Sequence, residues 1–458
     1  MTWRVEAVSS EVRRSSTVEI RTSDVAAVTG GRLVGPDVTV SGAAIDSRLV
    51  TGGELFVPVV AERDGHDFVA GAVAAGAAAY LSARPVASAT APGGATAVEV
   101  ADTQVALAAL GAHVRTRLAG RLDGRVVGVT GSVGKTSVKD LLAIALAARW
   151  RTAASAGSFN NELGVPLTLL DAADDTQALV VEMGARGAGH VAALCELAQP
   201  TVGVVTRVAA VHTETFGDLD DVARAKGELI EALPTTGVAV LNAGDPRVAA
   251  MADRTSARVV TFGPGGDVRA EDVHLDDELR PVFRAVTPWG EVDVSLSVRG
   301  THMVDNALAA AAAALVCDVP LADVARALGT ARLSRWRMEL STLPSGARLL
   351  NDAYNANPTS MAAALRALAD LDAARRVAVL GVMAEIGASS SDEHRAVADL
   401  ARQLGIEVVA VAVPEYGGTP VDDLAGAVAA LGDLGPGDAV LLKGSRVAGL
   451  ERLVDQLR

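Results

Sequence analysis

Thr130-Gly131-Ser132-Val133-Gly134-Lys135-Thr136-Ser137 follows an apolar run, residues 125–129 (RVVGV), and precedes a segment, residues 135–148, where Val138, Leu141, Leu142 and Ala145 share one helical face. Strand, glycine-rich loop and helix is the context in which backbone N–H groups converge on phosphate oxygens, with the helix N-terminus adding partial positive charge. Lys135 is expected to reach the β- and γ-phosphates and the Thr136 hydroxyl to ligate Mg²⁺, with Gly131, Ser132, Val133, Gly134 and Ser137 completing the cradle. The strict pattern has a glycine where Val129 stands, so this is the shorter TGxxGK[ST] form. Kinases, ATPases, GTPases and transport motors share such a loop, and it names no reaction alone.

Outward from the loop, short apolar strands are expected at 178–181, 202–205 and 238–241, interleaved with helical runs. That alternation implies a parallel sheet covered by helices. Val292, Val294, Leu296 and Val298 alternate with polar neighbours after a Trp289-Gly290 turn, as in a half-exposed antiparallel strand. Upstream, residues 23–118 form a mixed α/β segment, with a strand at 55–60, a helix at 68–79 and a flexible APGGA stretch at 91–95. From near Arg335, strands at 376–380, 408–413 and 439–442 alternate with helices at 360–371, 392–404 and 446–457, the pattern of a small doubly wound domain. The reading is an α/β protein of three domains. A flexible tail (1–17) precedes a small α/β N-terminal domain (18–120). A central P-loop-type mononucleotide-binding parallel sheet (121–332) and a Rossmann-like C-terminal domain (333–458) follow. A length of 458 residues fits this division at roughly 100–200 residues per domain.

Composition narrows the function classes. Aliphatic residues must do the packing, because 6 Phe, 4 Trp and 3 Tyr are too few. A formal charge of −14 argues against non-specific nucleic-acid binding and against anionic membrane surfaces, although a local pocket can still be positive. Cys195 and Cys317 sit in apolar runs and read as small buried hydrophobes, without disulfide or zinc spacing. The polar N-terminus has no apolar signal-peptide core, and the greasy run 307–317 is too short to span a bilayer. A cytoplasmic protein is expected, with no membrane insertion.

Further motifs follow in order: Asn160-Asn161-Glu162-Leu163-Gly164-Val165-Pro166-Leu167-Thr168, Glu182-Met183-Gly184-Ala185, His212 before Phe216-Gly217, Ala225-Lys226-Gly227-Glu228 and Leu241-Asn242-Ala243. Then come Gly300-Thr301-His302 with Asn306, Arg337-Met338-Glu339, Asp352-Ala353-Tyr354-Asn355-Ala356-Asn357-Pro358 and Lys443-Gly444-Ser445-Arg446. This ordered set resembles the Mur ligases over nearly the whole chain. The NNELGVPLT and DAYNANPTSM runs, with GVMAEIG at 381–387 and His394, resemble the members that add D-alanyl-D-alanine. The Asp-Asn-Pro-Arg motif of the diaminopimelate-adding members is absent. Met303 and Val382 depart from the Asn and Asp common at those places.

The resemblance implies an ATP-dependent ligase of peptidoglycan precursor synthesis. It would phosphorylate the terminal carboxylate of a UDP-N-acetylmuramoyl-tripeptide, and D-alanyl-D-alanine would attack the acyl phosphate. Charge neutralisation and positioning then dominate catalysis. Implied roles are Thr136, Glu182 and His212 for Mg²⁺, Lys226 as a carbamylated lysine, and Asn306, with Asn242, for adenine. Arg337 would meet the γ-phosphate and Asp352 would lie near nucleotide and amine. Tyr354, Asn355 and Asn357 would shape the dipeptide pocket, with Asn160 and Asn161 also facing substrate. Ser47, Arg48 and His66 would hold the UDP moiety. With these residues on two domains, the site would assemble by closure. A monomer is expected. Two other readings stay open: another Mur-type amide ligase, for diaminopimelate or lysine, and a P-loop NTPase without ligase activity.

Overall fold

The computed structural model describes residues 17–86, 92–209, 217–384, 386–387 and 390–458. The chain forms two compact units, the first holding residues up to 129, 149–184 and 191–202, the second 130–148, 185–190 and 203–458.

In the first unit, a five-stranded sheet runs in the order Arg32–Val34, Thr96–Glu99, Ala79–Ser82, Leu55–Phe56, Ala43–Ala44. Its first pair is antiparallel and the others are parallel. The helix Thr103–Leu122 follows, capped by the Asp102 carboxylate, which accepts from the amides of Gln104 and Val105. Leu107, Leu110, Val114 and Leu118 fill its buried face. Gly111 lets it cross the helix Gly164–Leu170 closely, since a Cβ there would lie 2.9 Å from the Pro166 Cα.

The central sheet has six strands in the order Arg258–Phe262, Val238–Asn242, Val202–Val205, Val126–Thr130, Ala178–Glu182, Thr152–Ala154. Pairing is parallel where the register is defined, with Glu182 opposite Val129. The strand Val126–Thr130 is buried throughout, because helices cover both faces of such a sheet. The expected α/β class with a parallel central sheet is thus what the chain adopts.

The second unit holds an antiparallel three-stranded sheet, Arg269–Leu275, Pro281–Thr287 and Gly290–Ser295. A further six-stranded sheet is ordered Glu339–Thr342, Arg348–Asn351, Asp438–Lys443, Arg375–Leu380, Glu407–Val411, Thr419–Val421. Only its first pair is antiparallel.

Several elements differ from the sequence reading. The strand expected at 55–60 pairs only over Leu55–Phe56, and Pro58 brings no amide to extend it. The helix expected at 68–79 is Val69–Ala74; Gly76, at φ 103°, ends it, and a buried strand begins at Ala79. The strand expected at 408–413 stops at Val411, where Ala412 turns to φ 55°. The helix expected at 446–457 is two 3₁₀ turns and the short helix Leu453–Gln456, broken at Gly449 with φ 64°. Both cysteines are buried, as expected. Among the described residues no helix is long and apolar enough to cross a membrane.

Candidate active site

The loop after Val126–Thr130 is shaped by its two glycines. Gly131 has φ 142° and Gly134 φ 87°, values that L side chains rarely adopt. Protein atoms also occupy the space a side chain would need: a Cβ on Gly131 would overlap the Thr206 hydroxyl, and one on Gly134 would lie 2.5 Å from Asn306 Oδ1. Thr206 donates its hydroxyl to Val133 O (2.6 Å), and the Ser132 amide donates to Arg207 O (2.7 Å). Lys135 folds over the loop, donating to Gly131 O (2.7 Å) and Ser132 O (3.3 Å). The helix Lys135–Ala147 begins at Gly134 with no side-chain cap. Its first-turn amides therefore face the loop's concavity, an arrangement suited to an anion. Thr136 and Ser137 are buried in that first turn.

Around the loop, Asn306 sits in the first turn of the helix Met303–Val316, with its carbonyl towards Gly134 and its amide donating to Met303 Sδ (3.4 Å). Asn242 spends its amide on Thr206 O (2.8 Å) and accepts from the Gly244 amide (2.9 Å), so it braces the Thr206 strand end. Asp305 faces Arg207 at 3.3 Å; burial lifts its carboxyl above the usual range, and Arg207 opposes the shift.

Lys226 projects from the helix Leu219–Glu231, whose start is fixed by a capping box between Asp218 and Asp221. Only 1% of it is exposed. Burial first, and then the positive charge of Lys135, push its ammonium down to about 7, with Glu228 opposing. Gly227 is small because the Arg254 guanidinium lies on it, donating to the carbonyls of Ala223 (3.1 Å) and Arg224 (2.8 Å).

In the first unit, Glu182 ends its strand 1% exposed. Its Oε1 accepts from Asn160 Nδ2 (2.8 Å), while among the described residues its buried Oε2 has no hydrogen-bond partner. Asn161 Oδ1 accepts from the Gly164 amide (2.9 Å) at the start of the helix Gly164–Leu170. Ser47 opens a 3₁₀ turn capped by Asp46, which also pairs with Arg48 at 2.5 Å. His66 has both ring nitrogens engaged: Nδ1 donates to Asp64 Oδ1 (2.6 Å) and Nε2 accepts from the Ala83 amide (3.0 Å). It holds that turn together. His212 lies outside the described residues.

Beside the C-terminal sheet, Arg337 lies 4.3 Å over the Tyr354 ring, and among the described residues its buried Nε has no hydrogen-bond partner. Asp352 accepts from the Met338 amide (3.2 Å) and from Lys443 Nζ (2.5 Å). Asn355 Oδ1 accepts from the Ala356 amide (2.9 Å), and Asn357 caps the helix Pro358–Asp370 through Ser360. The ring of His302 is set close to this cluster. Although part of its surface stays exposed, packing pushes its imidazole down to about 4; Asp352 opposes the shift and Lys443 adds to it.

Lys443, Thr206 and His302 were not singled out from sequence as site residues. Lys443 carried a signal in the Lys443-Gly444-Ser445-Arg446 run at a strand end; Thr206 carried none.

Residues 129–314 match the family model for the Mur ligase middle domain, and residues 336–446 match that for the Mur ligase, glutamate ligase domain. The chain is 40% identical to a Mycobacterium tuberculosis protein named UDP-N-acetylmuramoyl-tripeptide–D-alanyl-D-alanine ligase, over 96% of this chain and 98% of that one. A crystal structure of MurF from Acinetobacter baumannii superposes with a TM-score of 0.85 at 31% identity, covering 96% of this chain and 99% of that chain. MurF from Thermotoga maritima, solved in complex with ADP, has a TM-score of 0.77 at 27% identity, with coverage of 91% and 96%.

Proposed function

Because this chain belongs to the Mur ligase family, we propose that it joins D-alanyl-D-alanine to a UDP-N-acetylmuramoyl-tripeptide, with ATP as the phosphoryl donor. The observation that carries this reading is the near-full-length likeness to ligases of that name. The γ-phosphoryl group passes to the tripeptide's terminal carboxylate and ADP leaves. The dipeptide amine then attacks the acyl carbon, loses a proton, and expels inorganic phosphate from the tetrahedral intermediate.

Each step asks for charge neutralisation. The uncapped helix start and Lys135 meet the β- and γ-phosphates once the lysine leaves the loop carbonyls. Arg337, always charged, meets the γ-phosphate, and Asp352 lies beside nucleotide and amine. By family likeness Mg²⁺ is assigned to Thr136, through its hydroxyl, and to Glu182, whose buried Oε2 has no hydrogen-bond partner among the described residues. Bound there, Mg²⁺ would withdraw charge from the phosphate oxygens. His212 is kept as a third ligand by family likeness alone.

Lys226 is proposed to carry a carbamate. That chemistry needs a neutral amine, and burial supplies one near pH 7. The product is an anion that would balance Lys135. Asn306 is assigned to adenine, with Asn242 behind it as a brace. Asn160 acts by orienting Glu182, and Asn161 by fixing the helix that follows.

Residues 18–120 are assigned to the UDP moiety through Ser47 and Arg48, with His66 as their support. Residues 121–332 are assigned to ATP and residues 333–458 to the dipeptide. The C-terminal ends of the strands Arg348–Asn351, Arg375–Leu380 and Asp438–Lys443 lie side by side in that sheet, where doubly wound folds take ligands. Tyr354 and Asn355 stand at that edge, and Asn357 sets the following helix. The enzyme is taken to act as a cytoplasmic monomer.

The test measures phosphate release with ATP, UDP-N-acetylmuramoyl-tripeptide and D-alanyl-D-alanine, omitting each in turn. Release only with all three, matched by pentapeptide, supports the reading. Equal release without the dipeptide favours a plain NTPase.

A further inference from the structure

Lys443 closes the C-terminal end of the strand Asp438–Lys443 and is 1% exposed. A buried ammonium persists only when its protons are taken up. Here Nζ donates to Asp352 Oδ2 (2.5 Å), Asn355 O (3.1 Å) and Asp352 O (3.4 Å). The Asp352 carboxylate is thereby held with its second oxygen on the Met338 amide (3.2 Å).

That amide belongs to an unusual piece of backbone. Trp336 and Met338 both have positive φ, 60° and 53°, and neither is glycine. Side chains with a Cβ take this conformation only when their surroundings impose it. The impositions are visible. Trp336 O accepts from the Tyr354 amide (3.3 Å), the Arg446 guanidinium covers the Trp336 ring at 4.1 Å, and Asp352 takes the Met338 amide. Between the two strained residues stands Arg337, aimed across the Tyr354 ring.

We propose that Lys443 is a positioning residue for Arg337, acting through the Asp352 carboxylate and the Met338 amide. The inference rests on reading Arg337 as the arginine that meets the transferred phosphate. It gives Asp352 a second duty, anchoring the backbone that carries that arginine. In this reading Lys443 itself needs no contact with nucleotide or substrate.

The test uses the full chain with Lys443→Met, Asp352→Asn, Arg337→Ala and the double variant Arg337→Ala/Lys443→Met. Amide hydrogen exchange needs no substrate. In Lys443→Met, exchange of the Met338 amide should speed at least tenfold, with the strand Arg375–Leu380 still protected. If that strand loses protection, Asp352→Asn, which keeps the shape and removes the charge, is judged on the same amide. For activity, Lys443→Met should lower kcat roughly 10- to 100-fold, with little change in KM for the dipeptide. The double variant should be no slower than Arg337→Ala alone. Unchanged exchange at Met338 in the folded variant, or losses that multiply in the double variant, would overturn the proposal. A wild-type chain that makes no pentapeptide would sink the ligase reading while leaving the exchange result to decide this one.

Discussion

Replacing Lys226 with Met should give a protein that is more stable at pH 7 and inactive. Lys226 is almost fully buried, and burial with Lys135 nearby brings its ammonium from 10.5 down to about 7. In the unfolded chain it titrates as an ordinary lysine. Between pH 7 and about 10.5 the unfolded state therefore holds a proton that the native state has released, and native stability rises with pH across that window. Below pH 7 both states are protonated and the full penalty applies. At pH 7 the native state is disfavoured on the order of 4 kcal/mol relative to one with an uncharged side chain there. Methionine, unbranched and apolar, fills similar space without that cost. Urea denaturation in CO₂-free buffer should show Lys226→Met ahead at pH 7. The wild type should close the gap by about 1.4 kcal/mol per pH unit up to pH 9.5. Ligase activity in the variant should fall roughly 100-fold or more, since the proposed carbamate cannot form. A stability difference that does not change with pH would refute the buried-cation argument. Retained activity would refute the carbamate.

Gly131→Ala places a methyl group on the Thr206 hydroxyl at φ 142°; calorimetry should find ATP affinity reduced roughly 100-fold or more, and wild-type affinity would contradict the loop geometry. Glu182→Gln keeps the shape but removes the charge at the unpartnered oxygen. The Mg²⁺ concentration for half-maximal rate should rise about tenfold or more, and an unchanged Mg²⁺ titration would remove Glu182 from the metal site. Asp140 accepts from the Ser334 amide (2.7 Å) and hydroxyl (2.8 Å) and pairs with buried Lys139 at 2.6 Å. Asp140→Ala removes these contacts and should cost about 2 kcal/mol in urea titration; a loss under about 0.5 kcal/mol would show the cluster to be slack.

What could be read from sequence was what is local. Strand, loop and helix around Gly131–Lys135 are set by neighbouring residues, so glycine spacing and helical periodicity sufficed. Helix ends were harder: Gly76 and Gly449 stop their helices, but an alanine-rich run gives no sign of which glycine will turn left-handed. The helix Thr103–Leu122 is hard to read from sequence because small and charged residues blur its apolar stripe. Side-chain duties were least legible. His66, Asn242 and Asn357 have the chemistry of ligand contacts, yet the structure spends their polar atoms on holding backbone. Asn160 and Glu182 meet across 22 positions of sequence, and Lys443 reaches Asp352 across 91. Such pairings depend on how strands are ordered in a sheet, and no local pattern carries that order.

The central claim is that a peptide carboxylate receives the γ-phosphoryl group. Tripeptide labelled with ¹⁸O in its terminal carboxylate tests it directly, by mass analysis of the phosphate released in a complete reaction. The account predicts one labelled oxygen in each inorganic phosphate. Phosphate bearing only solvent or ATP oxygen, with pentapeptide still formed, would contradict it.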